Sequence, residues 1–165
     1  REALLNHLPA NDLPTIHRIP TGEVSAEEAA KRYAEVLHSL SPHEDLRIDV
    51  VLLGVGDDAH TASLFPETAG LNETERTVVA NWVEKLHTWR VTLTFPTINR
   101  ARKIYFLVCG ATKVTALQNI WFHPCDVQKY PTQAVRPESG QVVWITDTAA
   151  VDGIDLDATG FAIDR

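Results

Sequence analysis

The chain has 165 residues, 44% hydrophobic and 22% charged, which fits one globular domain with a real core and excludes collagen-like, mucin-like and intrinsically disordered classes. Fifteen Lys and Arg against 22 Asp and Glu leave a formal net charge of −7 at pH 7. Such a surface repels phosphate backbones and no basic run offsets it, so nucleic acid is not an expected partner. The longest apolar runs, at 50–55 and 104–109, are far short of a membrane span, and no signal-peptide pattern is found, so no membrane partner is expected either. Cys109 and Cys125 lack the spacing of a disulfide framework and are expected as thiols in a reducing, cytoplasmic compartment. The sequence contains no Met and opens at Arg1 inside a helical pattern (Ala3, Leu4, Leu5, Leu8). The expectation is a single domain over 1–165, N-terminally incomplete and monomeric.

Taken in chain order, the helical pattern at 1–8 stops before Pro9, and a polar loop at 11–23 carries Pro14, Pro20 and Gly22. Ser25-Ala-Glu-Glu28 reads as a capping box opening a helix at 26–40, whose core positions are Ala29, Tyr33, Val36, Leu37 and Leu40. The β-branched run 48–53 suits a strand covered on both faces, as in a parallel sheet. Further strands are expected at 77–83 and 89–95, the second with period-2 alternation. A short helix is expected at 96–101, a buried strand at 103–108, a helix at 112–122, a last strand at 142–146 and a helical turn at 147–151. Strands alternating with helices indicate an α/β fold with a largely parallel sheet.

The most informative stretch is Leu53-Gly-Val-Gly-Asp-Asp-Ala-His-Thr-Ala-Ser-Leu-Phe-Pro66. It follows a strand directly, which puts it at the carboxyl edge of the sheet, where open α/β sheets bind ligands. Gly54 and Gly56 let the backbone turn and approach a bound group, while Asp58, His60, Thr61 and Ser63 supply polar side chains. Three readings are open. Gly54-x-Gly56-x-x-Ala59 fits a loose dinucleotide fingerprint, but Pro66 ends the segment before the full helix that fingerprint requires. A plain glycine turn is the bland alternative. The third is catalytic, since a histidine close to acids at a strand end is poor core material.

The same loop closely resembles the signature of the 6-phosphogluconolactonases, G-x-G-x-D-G-H-T-A-S-L-F-P. The resemblance continues through Arg90-Val-Thr-Leu-Thr-Phe-Pro-Thr-Ile-Asn99, Ala101-Arg102, FLVCGATK at 106–113, Val135-Arg-Pro137 and VWITDTAA at 143–150. It implies a three-layer fold with a mostly parallel, Rossmann-like sheet flanked by helices, here as a partial domain. Two departures stand out. Ala59 replaces the family's usual glycine, a strain of about 1 kcal/mol if that position needs φ > 0. The family's N-terminal third, with its glycine–serine phosphate loop and acidic-arginine segment, is not found. Glucosamine-6-phosphate deaminases of the same superfamily need a carboxylate five residues after the histidine, and this chain has Phe65 there.

What the resemblance implies is hydrolysis of a phosphorylated sugar lactone, 6-phospho-D-glucono-1,5-lactone, without metal or cofactor. An imidazole, whose ordinary pKa is about 6.5, suits proton transfer to and from the reacting oxygens at neutral pH. His60 is then the general base. Asp58 either supports the imidazolium or caps a short helix at 59–64. The substrate-binding candidates are Gly54, Gly56, Thr61, Arg102, Lys113 and Arg136, the cations because a phosphate dianion needs fixed positive donors. Arg90 also matches, but its alternating neighbours suggest a structural role. A degenerate chain that keeps the fold without the activity is the non-enzymatic alternative.

Other groupings are weak. His38, His43, Glu44 and Asp45 read as a solvated helix end, and His123-Pro-Cys125 lacks the further ligands of a zinc site. Ser63 lacks a nucleophile-elbow context. Cys109 is expected buried, and Trp82, Trp89, Trp121 and Trp144 are expected in the core.

Overall fold

A computed structural model describes residues 7–9, 11, 13–41 and 46–162. Positions 1–6 of the first helical pattern, and His43, Glu44 and Asp45, lie outside the described residues. The elements are α1 (Ala26–Leu40), β1 (Val50–Leu53), β2 (Val78–Val83), β3 (Thr88–Leu93), α2 (Phe95–Asn99), β4 (Lys103–Val108), α3 (Val114–Phe122) and β5 (Gln141–Thr146). β1, β4 and β5 form a three-stranded sheet in the order β1-β4-β5, parallel throughout. β2 and β3 form a separate antiparallel pair. The fold is therefore α/β with a mostly parallel sheet, as the alternation of elements predicts.

Period-2 burial organises the parallel sheet. Val51, Leu53, Ile104, Phe106 and Val108 point to one face and meet Ala116, Leu117 and Ile120 of α3 in the main core. Phe106 stacks on Trp144 at 4.1 Å between ring centroids, and Trp121 closes edge-on against Trp144. The opposite face presents Val50, Leu52, Leu107 and Ile145 to solvent, with Leu52 64% exposed. The expectation that 48–53 is covered on both sides is thus corrected. The described chain lays a helix on one face only, so the alternation buries Val51 and Leu53 while Val50 and Leu52 stay outside.

α1 packs on the β2–β3 pair, where Ala30, Leu37, Leu46 and Val78 form a second, smaller core. Ser25 caps the helix as expected, its hydroxyl accepting from the Glu28 N–H. The reciprocal half of the capping box is absent, because the Glu28 carboxylate turns to Arg32 at 2.7 Å. Tyr33 and Val36 are half-buried, and Leu40 is exposed in the last turn, beyond the reach of the hairpin. Trp82 (38% exposed) and Trp89 (52%) are likewise not core. They are register partners on β2 and β3, packed edge-to-face at 5.6 Å on the same face of the pair as Val78, Val91 and Leu93 but nearer the hairpin turn. Cys109 and Cys125 are free thiols and both are exposed, Cys109 because β4 has ended and the chain turns through Gly110 at φ 96°.

Candidate active site

The loop after β1 is built from turns. The helix foreseen at 59–64 does not form; an isolated bridge between Thr61 and Leu64 replaces it. Ala59 and Ala62 take left-handed φ of 61° and 51°, so the substitution at 59 does fall where L-residues are strained. The Gly56 N–H donates to the His60 carbonyl at 2.9 Å and the Ala59 N–H to the Gly56 carbonyl at 3.0 Å, closing the loop tightly. Without a helix after the glycines, the dinucleotide reading loses its pyrophosphate-binding helix terminus.

Within this loop His60 Nδ1 lies 2.5 Å from Asp58 Oδ1, and the His60 ring stacks on Phe65 at 3.8 Å between centroids. A Cβ on Gly56 would overlap the His60 ring and meet Asp58 Oδ1 at 2.8 Å, so glycine here is what lets the imidazole lie against the backbone. Partial burial pushes the Asp58 carboxyl up, but hydrogen bonds from Lys85 Nζ and His60 outweigh it and hold its pKa at about 2. A carboxylate ionised at neutral pH only accepts, so it selects the His60 tautomer with its proton on Nδ1 and leaves Nε2 as the basic nitrogen.

Neighbouring elements fix the loop. From the hairpin, Asn81 is buried and fully used: its Nδ2 donates to the Ser63 carbonyl at 2.8 Å and to Thr68 Oγ1 at 2.9 Å, and its Oδ1 accepts from the Gly70 N–H at 3.0 Å. Thr92 Oγ1 accepts from the Ser63 N–H at 3.1 Å. From the turn Pro131–Ala134, Thr132 donates both its N–H and its hydroxyl to the Ala59 carbonyl, at 3.1 and 2.7 Å. At the same edge of the sheet, Asp147 after β5 receives the Gly110 and Ala150 N–H groups, which hold its carboxyl below the usual range.

The candidate residues divide. His60, Gly54, Gly56 and Lys113 line one hollow of about 400 Å³ at the carboxyl edge of β1 and β4, together with Leu52, Leu53, Val55 and Ala62. Lys113 reaches across to Asp57 at 2.5 Å. Thr61 is fully buried and its hydroxyl donates to the Gly54 carbonyl at 2.9 Å, so it braces the loop and does not face a ligand. A Cβ on Gly54 meets nothing within 4 Å, and neither loop glycine uses positive φ; Ala59 and Ala62 make the turns.

Arg102 and Arg136 are not brought to the hollow. Arg102 precedes β4, at the amino edge of the sheet, and pairs with Asp49 at 2.9 Å. Arg136 precedes β5 at the same edge, in a larger cavity of about 670 Å³ with Arg47, Asn99, Arg100 and Glu138. That cavity is roomier but contains no histidine, so size does not choose the site. Arg90 is exposed on β3.

Residues 1–144 match the profile of the family described as glucosamine-6-phosphate isomerases/6-phosphogluconolactonase. The chain belongs to this family. A 6-phosphogluconolactonase of Synechocystis sp. is 38% identical over 159 residues, covering 93% of this chain and 65% of the relative. One of Homo sapiens is 36% identical over 152 residues, covering 91% and 58%. The solved 6-phosphogluconolactonase of Trypanosoma brucei superposes with a TM-score of 0.70 at 29% identity, covering 82% of this chain and 57% of that one. The chain therefore spans about 60% of the length of the curated relatives it matches.

Within this family fold the sequence reading missed Lys85, whose Nζ lies 2.8 Å from Asp58 Oδ2, and Phe65 as the platform under the imidazole. A lysine in a hairpin turn carries no local signal of the loop it will reach. Phe65 was visible, since its five-residue offset from His60 marks it as a neighbour in a tight loop.

Proposed function

We propose that the protein hydrolyses 6-phospho-D-glucono-1,5-lactone to 6-phospho-D-gluconate, in the oxidative pentose phosphate route, with His60 as general base. The observation that carries this reading is His60, paired with Asp58 and lining an open hollow at the carboxyl edge of a parallel sheet, in a chain of this family. With Nδ1 committed to Asp58, Nε2 takes a proton from water as the water oxygen bonds to the C1 carbonyl. The tetrahedral intermediate then collapses, the C1–ring oxygen bond breaks, and the imidazolium returns its proton to the departing oxygen. Asp58 stabilises the imidazolium in between, as an ionised carboxylate does in other histidine-centred sites. These steps call for no metal or cofactor. Lys113, at the turn that leads into α3, is the cation lining the hollow, and an anionic substrate would have to draw it from Asp57.

A deaminase-type relay is disfavoured because Phe65, not a carboxylate, occupies the fifth position after His60 and stacks on the ring. A second reading, in which this chain keeps the fold but does not turn over alone, is favoured by the bare sheet face at Val50, Leu52, Leu107 and Ile145. Free thiols at Cys109 and Cys125 fit a reducing, cytoplasmic setting. The test is a lactone-hydrolysis assay of the 165-residue chain beside a form extended upstream to the relatives' length. Turnover by the extended form alone supports the lactonase reading together with the second; turnover by neither contradicts the lactonase reading.

A further inference from the structure

We propose that Lys85 is a positioning residue for the Asp58–His60 pair, acting through Asp58 from the hairpin turn; this rests on the reading of His60 as base. Lys85 sits in the three-ten turn Glu84–Leu86, which joins β2 to β3 and ends at His87 in the left-handed region, φ 45°. The turn belongs to an element outside the β1 loop, yet its ammonium lies 2.8 Å from Asp58 Oδ2 while Oδ1 of the same carboxylate takes His60 Nδ1 at 2.5 Å and the His60 N–H at 3.4 Å. One carboxylate is thus held at both oxygens, by two elements.

Two physical consequences follow. A carboxylate anchored at one oxygen turns readily about its sp³–sp² torsion. A second anchor on the hairpin fixes its plane, and with it the imidazole. The ammonium also offsets part of the Asp58 charge that draws a proton onto the ring. Lys85 does not line the hollow where His60 and Lys113 meet; it lies in the neighbouring cavity with Asp58, Trp82 and Trp89. Its effect on the imidazole therefore passes through Asp58. The contact raises the Lys85 pKa, through its hydrogen bond to Asp58 and then the charge attraction, so both partners stay ionised at neutral pH. The other charged groups around the pair are Asp57 on the loop, Lys113 before α3 and already on Asp57, Glu84 on the hairpin, Glu27, Glu67 and Arg76 around the neighbouring cavity, and Asp126 and Lys129 around a further cavity that Asp57 and Asp58 also line. Only Lys85 and His60 reach Asp58 side chain to side chain among the described residues.

The test is an NMR titration of the His60 ring in the 165-residue chain, assigned by the signal lost in His60→Asn, and compared across wild type, Lys85→Met and Lys85→Arg. Removing the positive charge raises the His60 midpoint by about 0.5 to 1 pH unit in Lys85→Met, as expected for a partly screened charge a few ångströms away. Lys85→Arg keeps the charge and the donor and restores the wild-type midpoint. A midpoint that does not move in Lys85→Met overturns the proposal, as does an equal displacement in Lys85→Arg. The titration needs no turnover, so loss of the lactonase reading and loss of this one are read separately.

Discussion

Gly54 and Gly56 stand two residues apart in one loop, but the protein's own packing holds only Gly56 to glycine. Its missing Cβ is the space the His60 ring occupies, whereas a methyl on Gly54 projects into open space. Gly56→Ala is therefore expected to displace the imidazole from Asp58 and lower lactonase kcat/KM by about a hundredfold, the scale of a misplacement near 1 Å. Gly54→Ala is expected to cost less than about tenfold. Equal losses in the two variants, measured side by side in the extended form, would show that the substrate and not the ring requires the space. At this scale the sequence was legible where chemistry and spacing coincide, as in the two-residue spacing that sets Asp58 against His60, while the stacking of Phe65 on the ring was missed. It was illegible for Thr61, because a hydroxyl seven residues from its acceptor looks the same whether it faces a ligand or the Gly54 carbonyl.

Among the elements, the hairpin contributes more to the site than its sequence reveals. Asn81 on β2 satisfies three groups of the loop and of the following turn, and Lys85 meets Asp58 from the hairpin end. Asn81→Ala leaves the Gly70 N–H and the Ser63 carbonyl without this partner, at a cost of about 2–3 kcal/mol. In a domain of this size the melting temperature should then fall by roughly 4–12 °C. A change below about 1 °C in thermal unfolding would mean that water replaces the amide without loss. Strand direction explains the fate of the two arginines. His60 follows β1 while Arg102 precedes β4, and β1 runs parallel to β4, so they sit at opposite edges of one sheet. That much was readable from the order of residues around each strand. The location of Lys85 was not, since it depends on how a separate antiparallel pair docks.

For the whole molecule, the sequence conveyed the α/β class, the parallel sheet and the place of the loop, because β-branched runs and helical spacing are local signals. Burial of the second sheet face was over-read. Val50 and Leu52 are as apolar as Val51 and Leu53, and composition alone does not say whether a covering layer is supplied by the same residues. The bare face and the relatives' greater length both point to the extended form as the one in which turnover should be measured. The central claim is that one imidazole, oriented by Asp58, moves the proton during lactone opening. The most direct measurement is the rate of 6-phosphogluconolactone hydrolysis by the extended form with and without His60→Asn, the uncatalysed rate subtracted. A loss of about a hundredfold or more in kcat at neutral pH, with the fold retained, is the predicted result; a loss of only a few-fold contradicts it.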